Sequence, residues 1–177
     1  MCTLVFGCFM NTIQNNENNK NNENDSNLKK VKIMADYQFG KGAGDALFDE
    51  NVRFVLSKTK RVRQVYDGNE RLVTVRARDG FFTLSIEGAE KLHKHLEKPN
   101  LRVSVADEAV PFVSGGKTAF AKHVLSVDPK LRAGEEIIVT DKNDNLIATG
   151  QLLLAPEEII NIKHGPAVRV RNGINKN

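Results

Sequence analysis

The sequence predicts an α+β protein in which two small folded units follow an asparagine-rich leader. Three observations carry this prediction. Residues 11–28 hold almost no apolar side chains, residues 34–99 alternate strand-like runs with one amphipathic helix, and residues 100–173 hold several short strands with two short helices. A chain of 177 residues is long enough for two such units.

The charge and cysteine content exclude several classes of protein. The chain has 26 Lys and Arg against 22 Asp and Glu, so nucleic-acid binding would need a local patch rather than bulk charge. No apolar run approaches the length of about 20 residues that a membrane-spanning helix needs. Cys2, Cys8 and the histidines follow no metal-ligand spacing, so we expect no metal and no cofactor, and a cytoplasmic protein is the default expectation.

Residues 1–33 are expected to form an unfolded leader. Residues 11–28 read NTIQNNENNKNNENDSNL, and so polar a tract buries too little apolar surface to offset the entropy cost of ordering it. A short basic strip, KKVK, follows the tract and leads into the first folded unit. The first domain boundary is therefore placed at residue 34.

Three glycines, Gly40, Gly42 and Gly44, open the first unit and precede the helix-compatible segment DALF. A glycine-rich turn into a helix can bind phosphate through its backbone N–H groups. The spacing here matches no established phosphate-loop motif, and no apolar strand precedes it. A structural turn is the favoured interpretation, and a phosphate site is the alternative.

The rest of the first unit, which ends at residue 99, predicts a sheet followed by a helix. Val52–Leu56 is rich in β-formers, and Arg61–Tyr66 and Arg71–Arg76 flank the sequence DGN, a strong hairpin turn. An apolar run over 81–86 predicts a buried strand. The apolar spacing in EGAEKLHKHLE predicts a helix over 87–97.

A cluster of cations lies within this predicted sheet. Residues 58–63, KTKRVR, place four cations in six positions. On a strand, the two lysines would point to one face and the two arginines to the other. A solvated face and a phosphate-contacting patch are equally supported, so the candidate phosphate contacts are Lys58, Lys60, Arg61 and Arg63.

The second unit, residues 100–173, reads as a small barrel of short strands. The predicted strands include Arg102–Val105, Glu136–Thr140, Leu146–Leu154 and Ala167–Arg171. A helix start, PEE, separates the last two, because proline and acidic residues favour a first helical turn. Short strands at close spacing with short helices predict a barrel-like α+β unit.

The best candidates for ligand binding surround the turn SGGK in this unit. Glycines let an RNA backbone approach closely, and Lys117 and Lys122 can contact phosphates. Phe120 can stack on an unpaired base, although a core position is the favoured interpretation of this ring. Arg169 and Arg171 extend the patch if the last strand borders the turn. The predicted RNA-binding residues are Ser114, Gly115, Gly116, Lys117, Phe120, Lys122, His123, Arg169 and Arg171.

Catalytic motifs are missing from the sequence. No serine lies in G-x-S-x-G, no HExxH occurs, and no cysteine lies near a histidine in a known pattern. We therefore assign no catalytic residue and expect a binding protein rather than an enzyme.

Longer motifs resemble a known module. The segments GGKTAFAKHV, VDPKLRAGEE, LIATG and GPAVRVR, within residues 101–171, closely resemble a PUA domain, an RNA-binding module. The preceding segments DYQFGKGAGDALF and SKTKRVRQVYDGNERLVTVRARDGFFTLSIEGAEKL resemble the domain before PUA in archaeal tRNA-guanine transglycosylase and archaeosine synthase. DYQFGKGAG is a hallmark of that family to which the sequence assigns no chemical role.

The resemblance implies a small α/β domain followed by a PUA β-pseudobarrel. It also implies tRNA binding, with the segment Gly115–Val124 and the last strand near the acceptor stem and 3′ end. The catalytic barrel and zinc site of that family have no counterpart in this sequence. The resemblance thus implies a noncatalytic tRNA-binding subunit of a split transglycosylase or archaeosine synthase, acting in D-arm modification with a chain that carries the barrel. A stand-alone PUA module in ribosome biogenesis or RNA processing is the alternative.

Overall fold

The computed structural model describes residues 22–162 and 164–175, which form two adjoining units of mixed helix and sheet. The predicted α+β class is confirmed. Residues 1–21, the greater part of the expected leader, lie outside the described residues. Within the described part of the chain, no helix is both long and apolar enough to cross a bilayer.

Helix α1, residues 22–39, differs from the expected leader. Val31, Ala35 and Phe39 lie four residues apart and are buried on one face, with exposures of 1%, 0% and 7%. That spacing places the three side chains on one stripe of a helix, which packs on the core of the first unit. Residues 22–33 are therefore helical, and the expected boundary at residue 34 falls inside α1. The stripe begins only at Val31, after the asparagine-rich tract, so the tract itself gave no sign of the helix.

The first unit continues with a four-stranded antiparallel sheet in the order β1-β2-β3-β4. The pairing of Asp67 with Glu70 confirms the hairpin that the sequence DGN predicted. The elements are α2 (Ala43–Leu47), β1 (Arg53–Leu56), β2 (Val62–Asp67), β3 (Glu70–Val75), β4 (Phe82–Leu84) and α3 (Ile86–His95).

The glycine-rich turn before α2 has a structural explanation. Gly40 and Gly42 have φ angles of +105° and +87°, which favour glycine. A Cβ on Gly44 would lie 2.4 Å from the backbone oxygen of Lys32 in α1. The Gly44 N–H donates to Asp36 Oδ1 at 2.7 Å. Gly40 and Gly42 thus form a turn, and Gly44 allows α2 to pack directly against α1, so the favoured interpretation of a structural turn accounts for all three glycines.

The second unit is a six-stranded sheet in the order β6-β10-β9-β8-β5-β7. Only the β5–β8 pair is parallel among the described ladders. A 3₁₀ turn, Ala121–His123, separates β6 from β7. The elements are β5 (Arg102–Val105), α4 (Val110–Ser114), β6 (Ala119–Phe120), β7 (Val124–Val127), β8 (Glu136–Thr140), β9 (Leu146–Leu152), α5 (Pro156–Ile162) and β10 (Pro166–Gly173).

The backbone of Leu84, at the end of β4, joins the first unit to the second. Its N–H donates to Glu136 Oε1 at 3.1 Å. Its carbonyl accepts hydrogen bonds from Thr149 Oγ1 at 3.1 Å and from Asn172 Nδ2 at 2.9 Å. Side chains from β8, β9 and β10 therefore bind one residue of the other unit, and this fixes the orientation of the two sheets.

Arg102 makes a second connection between the units. It is 6% exposed, and its guanidinium donates to four backbone carbonyl oxygens and to the Asp144 carboxylate. The His93 carbonyl lies in the last turn of α3 and the Leu96 carbonyl belongs to its C-cap, where carbonyls lack partners within the helix. The acceptors are the carbonyls of His93 (2.8 Å), Leu96 (2.8 Å), Asn100 (3.0 Å) and Glu97 (3.3 Å), and Asp144 Oδ1 (3.0 Å).

Candidate nucleic-acid interface

The turn between α4 and β6 forms one wall of a cavity of about 410 Å³. Ala109, Val113 and Ala119 form an apolar floor, and the two phenylalanines of the cavity are largely exposed. Phe112 is 57% exposed and Phe120 is 47% exposed. The interpretation of Phe120 as a core residue is therefore wrong, because β6 is an edge strand and this ring points away from the sheet core.

Basic side chains and one acidic side chain, Glu108, line this cavity. Lys117, Lys122 and His123 line it, as the sequence predicted for the site. Lys117 Nζ lies 5.6 Å from the centre of the Phe112 ring, which is a cation–π distance. Neither lysine forms an ion pair with any residue that the structure describes. His123 Nδ1 lies 2.8 Å from Glu108 Oε1, so this histidine already has an anionic partner.

The glycine turn is supported by hydrogen bonds to the buried residue that precedes it, Ser114. Gly116 has a φ angle of +88°, which a glycine adopts without strain. Ser114 is 2% exposed, so it lies beneath the turn rather than on its surface. Asn175 supports Ser114 twice, through its N–H to the Ser114 carbonyl at 3.0 Å and through Nδ2 to Ser114 Oγ at 3.2 Å. Ser114 therefore positions the turn, whereas Gly115 and Lys117 are exposed on it.

Gly173 permits the close approach of β10 to this turn. A Cβ at this position would lie 2.1 Å from the Ser114 carbonyl oxygen and 2.9 Å from the Gly116 nitrogen. Sequence reasoning missed Gly173, because a glycine at the end of a strand carries no signal of what lies beside it. Sequence reasoning also did not name Phe112 as a candidate RNA-binding residue. Its position three residues before Gly115 was the available signal.

Replacing Gly173 with alanine should lower the free energy of unfolding by about 1–3 kcal/mol, because backbone atoms must move to accept the methyl group. Chemical denaturation measures this loss. Gly115→Ala is the matched control, since Gly115 has a φ of −78° and its Cβ would meet nothing closer than 3.3 Å. We expect the control to stay within about 1 kcal/mol of the wild type. Equal stability of the two variants would contradict the close approach.

The two arginines of β10 have different surroundings. β10 pairs with β6, so the last strand does border the glycine turn, as the prediction required. Arg169 is exposed, but it does not line the cavity. Arg171 Nε donates to Glu136 Oε2 at 3.1 Å. A register shift between Val170 and Asn172 accompanies this change of surroundings. RNA contact by Arg169 and by Arg171 stays a prediction, and in the structure Arg171 is paired with Glu136.

The cation cluster at 58–63 is not the regular strand that the sequence predicted. Ser57 accepts a hydrogen bond from Lys60 N–H at 2.9 Å and donates its own N–H to the Arg61 carbonyl at 2.8 Å, which closes a tight turn. Lys60 has a φ angle of +57°. The expected separation of lysines and arginines on two strand faces is therefore wrong, because β2 begins only after Arg61. Phosphate contact by Lys58, Lys60, Arg61 and Arg63 stays a prediction.

Glu136 lies under the junction of the units with a fully buried side chain. Burial raises the pKa of its carboxyl to about 7, and Arg171, the Leu84 N–H and Arg76 oppose this shift only in part.

Among residues 22–162 and 164–175, no group of three or more His, Cys, Asp or Glu is arranged to hold a metal ion.

Two family models match the chain. Residues 29–99 match the patch-forming domain C2 of tRNA-guanine transglycosylase, and residues 101–174 match the PUA domain. The two matches correspond to the two units of the structure. They agree with the resemblance that the sequence motifs carry.

Curated relatives match both units together. The tRNA-guanine(15) transglycosylase of Methanothermobacter thermautotrophicus is 44% identical over 147 residues, which cover 82% of this chain and 22% of that protein. The enzyme of the same name from Pyrococcus abyssi is 48% identical over 147 residues, which cover 83% and 25%. The chain thus spans about a quarter of the length of these relatives.

Two solved structures share the fold. A hypothetical protein from Pyrococcus horikoshii matches with a TM-score of 0.67 and 15% identity, over 85% of this chain and 92% of that one. A conserved PUA domain protein from Thermoplasma acidophilum matches with a TM-score of 0.60 and 20% identity, over 84% and 91%. At these identities the two matches establish the fold alone.

Proposed function

Because this chain belongs to the family that joins a transglycosylase C2 domain to a PUA domain, and is homologous to the C-terminal part of archaeal tRNA-guanine(15) transglycosylase, we propose that it is a noncatalytic tRNA-binding protein. The observation that carries this proposal is the cavity at the glycine turn. Its unpaired lysines flank two exposed phenylalanines above an apolar floor.

The chemistry of this cavity suits an unpaired nucleotide at the end of an RNA strand. Exposed aromatic rings stack on splayed bases, and lysines bind the phosphates that link them. Gly115 and Gly116 carry no side chain that would keep an RNA backbone away from the turn. The 3′ end of tRNA is single-stranded and offers both groups, so we propose that the glycine turn binds this end.

We further propose that catalysis requires a second chain that carries the transglycosylase or synthase barrel. Affinity purification of the tagged protein from its native cytoplasm tests this proposal. Recovery of a barrel chain would support a split enzyme of tRNA D-arm modification. Recovery of ribosomal proteins alone would support the stand-alone RNA-binding module instead. The purified chain by itself is expected to show no base exchange on tRNA, and turnover would overturn the noncatalytic assignment.

Changing Lys117 and Lys122 together to alanine should weaken tRNA binding by about tenfold or more at 0.1 M salt, because two phosphate contacts are lost. The slope of log K against log salt concentration should fall by about 2. Filter binding of a tRNA transcript at several salt concentrations measures both quantities.

The matched control replaces Lys94 and Lys98, which removes the same charge from lysines that already pair with Glu90 and Asp144. This control should bind within about twofold of the wild type. If the Lys117/Lys122 variant binds tRNA with the wild-type affinity and slope, the glycine turn is not the RNA-binding face. If the wild type binds no tRNA, the proposed function is wrong.

A further inference from the structure

In the DYQFG segment at the end of α1, the side chains of Asp36, Gln38 and Phe39 stabilise the first unit, whereas that of Tyr37 is exposed. Asp36 accepts a hydrogen bond from Gly44 N–H at 2.7 Å. Gln38 accepts from Phe82 N–H at 2.7 Å and donates to the Phe82 carbonyl at 3.0 Å. Phe39 is buried and its ring packs against the ring of Phe82. Tyr37 is 82% exposed, so its ring contributes little to the core of the first unit.

Tyr37 belongs to a preformed aromatic platform. Its ring lies nearly parallel to that of Phe81, with 6.5 Å between ring centres and 10° between ring planes. Phe81 is itself 38% exposed, and the Arg76 guanidinium lies 5.5 Å from its ring centre. Asp79 holds this loop in place, since it accepts from Phe81 N–H at 3.1 Å and pairs with Arg76 at 3.1 Å. These contacts of Asp79 hold the backbone of Phe81 and the side chain of Arg76 in place.

The platform opens into a cleft of about 790 Å³ between the two units. The cleft is lined by cations from both units, namely Lys41, Arg76, Arg78, Lys130 and Arg132. Lys41, Lys130 and Arg132 are exposed and form no ion pair within the described ranges.

The acidic residues of the cleft are already engaged. Asp79 pairs with Arg76 and Arg78, and Asp128 accepts from the N–H groups of Leu101 and Lys130. Glu135 accepts from Arg132 N–H at 2.8 Å, and Glu136 is paired with Arg171. The cleft cations without an ion-pair partner among the described residues are therefore Lys41, Lys130 and Arg132, and Asp128 and Glu135 are bound by backbone N–H groups rather than by cations.

We propose that this cleft is a second RNA site, which holds an unpaired nucleotide with its base stacked on Tyr37 and the adjoining phosphates against Lys41, Lys130 and Arg132. A base stacks on a tyrosine face whatever its sequence, and cations on both sides of the cleft follow a backbone that crosses it. The inference rests on the proposed function, since the same RNA would occupy the glycine turn of the second unit.

Tyr37→Ala is expected to weaken binding of a tRNA transcript by about 5-fold to 100-fold, the range for loss of one base–aromatic stack. The slope of log K against log salt should not change, because no phosphate contact is lost. Tyr37→Phe keeps the ring and should bind within about twofold of the wild type. Lys130→Ala together with Arg132→Ala should instead reduce the slope by about 2.

Ile33→Ala is the matched control, because Ile33 lies one turn earlier on α1, is 61% exposed and does not line the cleft. It should bind within about twofold of the wild type. Tyr37→Ala should also keep the wild-type thermal unfolding midpoint, because its side chain is exposed.

If Tyr37→Ala binds tRNA like the wild type while the Lys117/Lys122 variant does not, this inference is overturned and the proposed function stands. If Tyr37 is needed to bind free guanosine monophosphate but not tRNA, the cleft serves a small nucleotide and the inference is also overturned. If the wild type does not bind tRNA, the proposed function fails, and the second site fails with it.

Discussion

Replacing Arg102 with alanine is expected to lower the free energy of unfolding by about 3–5 kcal/mol. The guanidinium is almost completely buried and satisfies four carbonyls and Asp144 at the junction of the units. Its removal leaves these acceptors without their donor, and a buried acceptor without a partner costs more than the hydrogen bond alone was worth. Urea denaturation followed by circular dichroism measures the loss.

Two further variants identify the cause of this loss. Arg102→Lys keeps the charge but cannot spread its donors over five acceptors, so it should recover less than half of the lost stability. Arg61→Ala removes an exposed guanidinium from the same protein and should change stability by no more than about 0.5 kcal/mol. A loss below about 1 kcal/mol for Arg102→Ala would show that the junction does not depend on this side chain.

The Glu136 carboxyl should make stability fall as the pH rises from about 4.5 to about 7.5. Its pKa is about 7 in the folded protein, because burial disfavours the charged form, against an ordinary value of 4.5. Between these values the folded state binds more protons than the unfolded state, so raising the pH favours unfolding. The contribution of this group should change by about 3 kcal/mol across the window.

Comparison with Glu136→Gln isolates this effect from the other titrating groups. The free energy of unfolding of the wild type minus that of the variant should fall by about 3 kcal/mol between pH 4.5 and 7.5. Glu135→Gln, one residue away and exposed, should give a difference that is flat within about 0.5 kcal/mol. A difference that rises with pH for Glu136 would mean that Arg171 outweighs burial and lowers the pKa.

Local patterns predicted much of the fold. The sequence DGN specified the β2–β3 hairpin because only a tight turn joins two strand-like runs at that distance. The glycine turn was found because SGGK interrupts apolar segments. Lys117 at the end of this turn, Lys122 and His123 do line one cavity, whereas Ser114, Gly115 and Gly116 do not line it. The start of α1 over residues 22–33 was not predicted, because two of its three buried apolar residues, Ala35 and Phe39, come after this stretch.

What the sequence could not predict is the junction between the units. Arg102 and Glu136 each begin a short strand, and a charged residue at such a position is ordinarily exposed. Arg102 is buried against the end of α3, 9 residues earlier at His93, and Glu136 against β4, 52 residues earlier at Leu84. Neither contact leaves a local pattern in the sequence. The exposure of Tyr37 could not be predicted either. Its neighbours Asp36, Gln38 and Phe39 all have structural roles, and only the three-dimensional structure shows that Tyr37 is exposed.

The position of β10 has a consequence for the order in which parts of the protein fold during synthesis. β10 lies between β6 and β9, its residues Arg171 and Asn172 reach the junction, and its Gly173 lies under the glycine turn. A ribosome releases this strand after every other strand described here. The nascent first unit can fold as it emerges, and Arg102, Glu136 and Thr149 can join it to the second unit before β10 appears. The contacts of Arg171 and Asn172 and the support of the glycine turn wait for the eight residues of β10. A chain stalled before Pro166 would thus present a folded C2 domain joined to an open sheet, whose glycine turn lacks the support of β10.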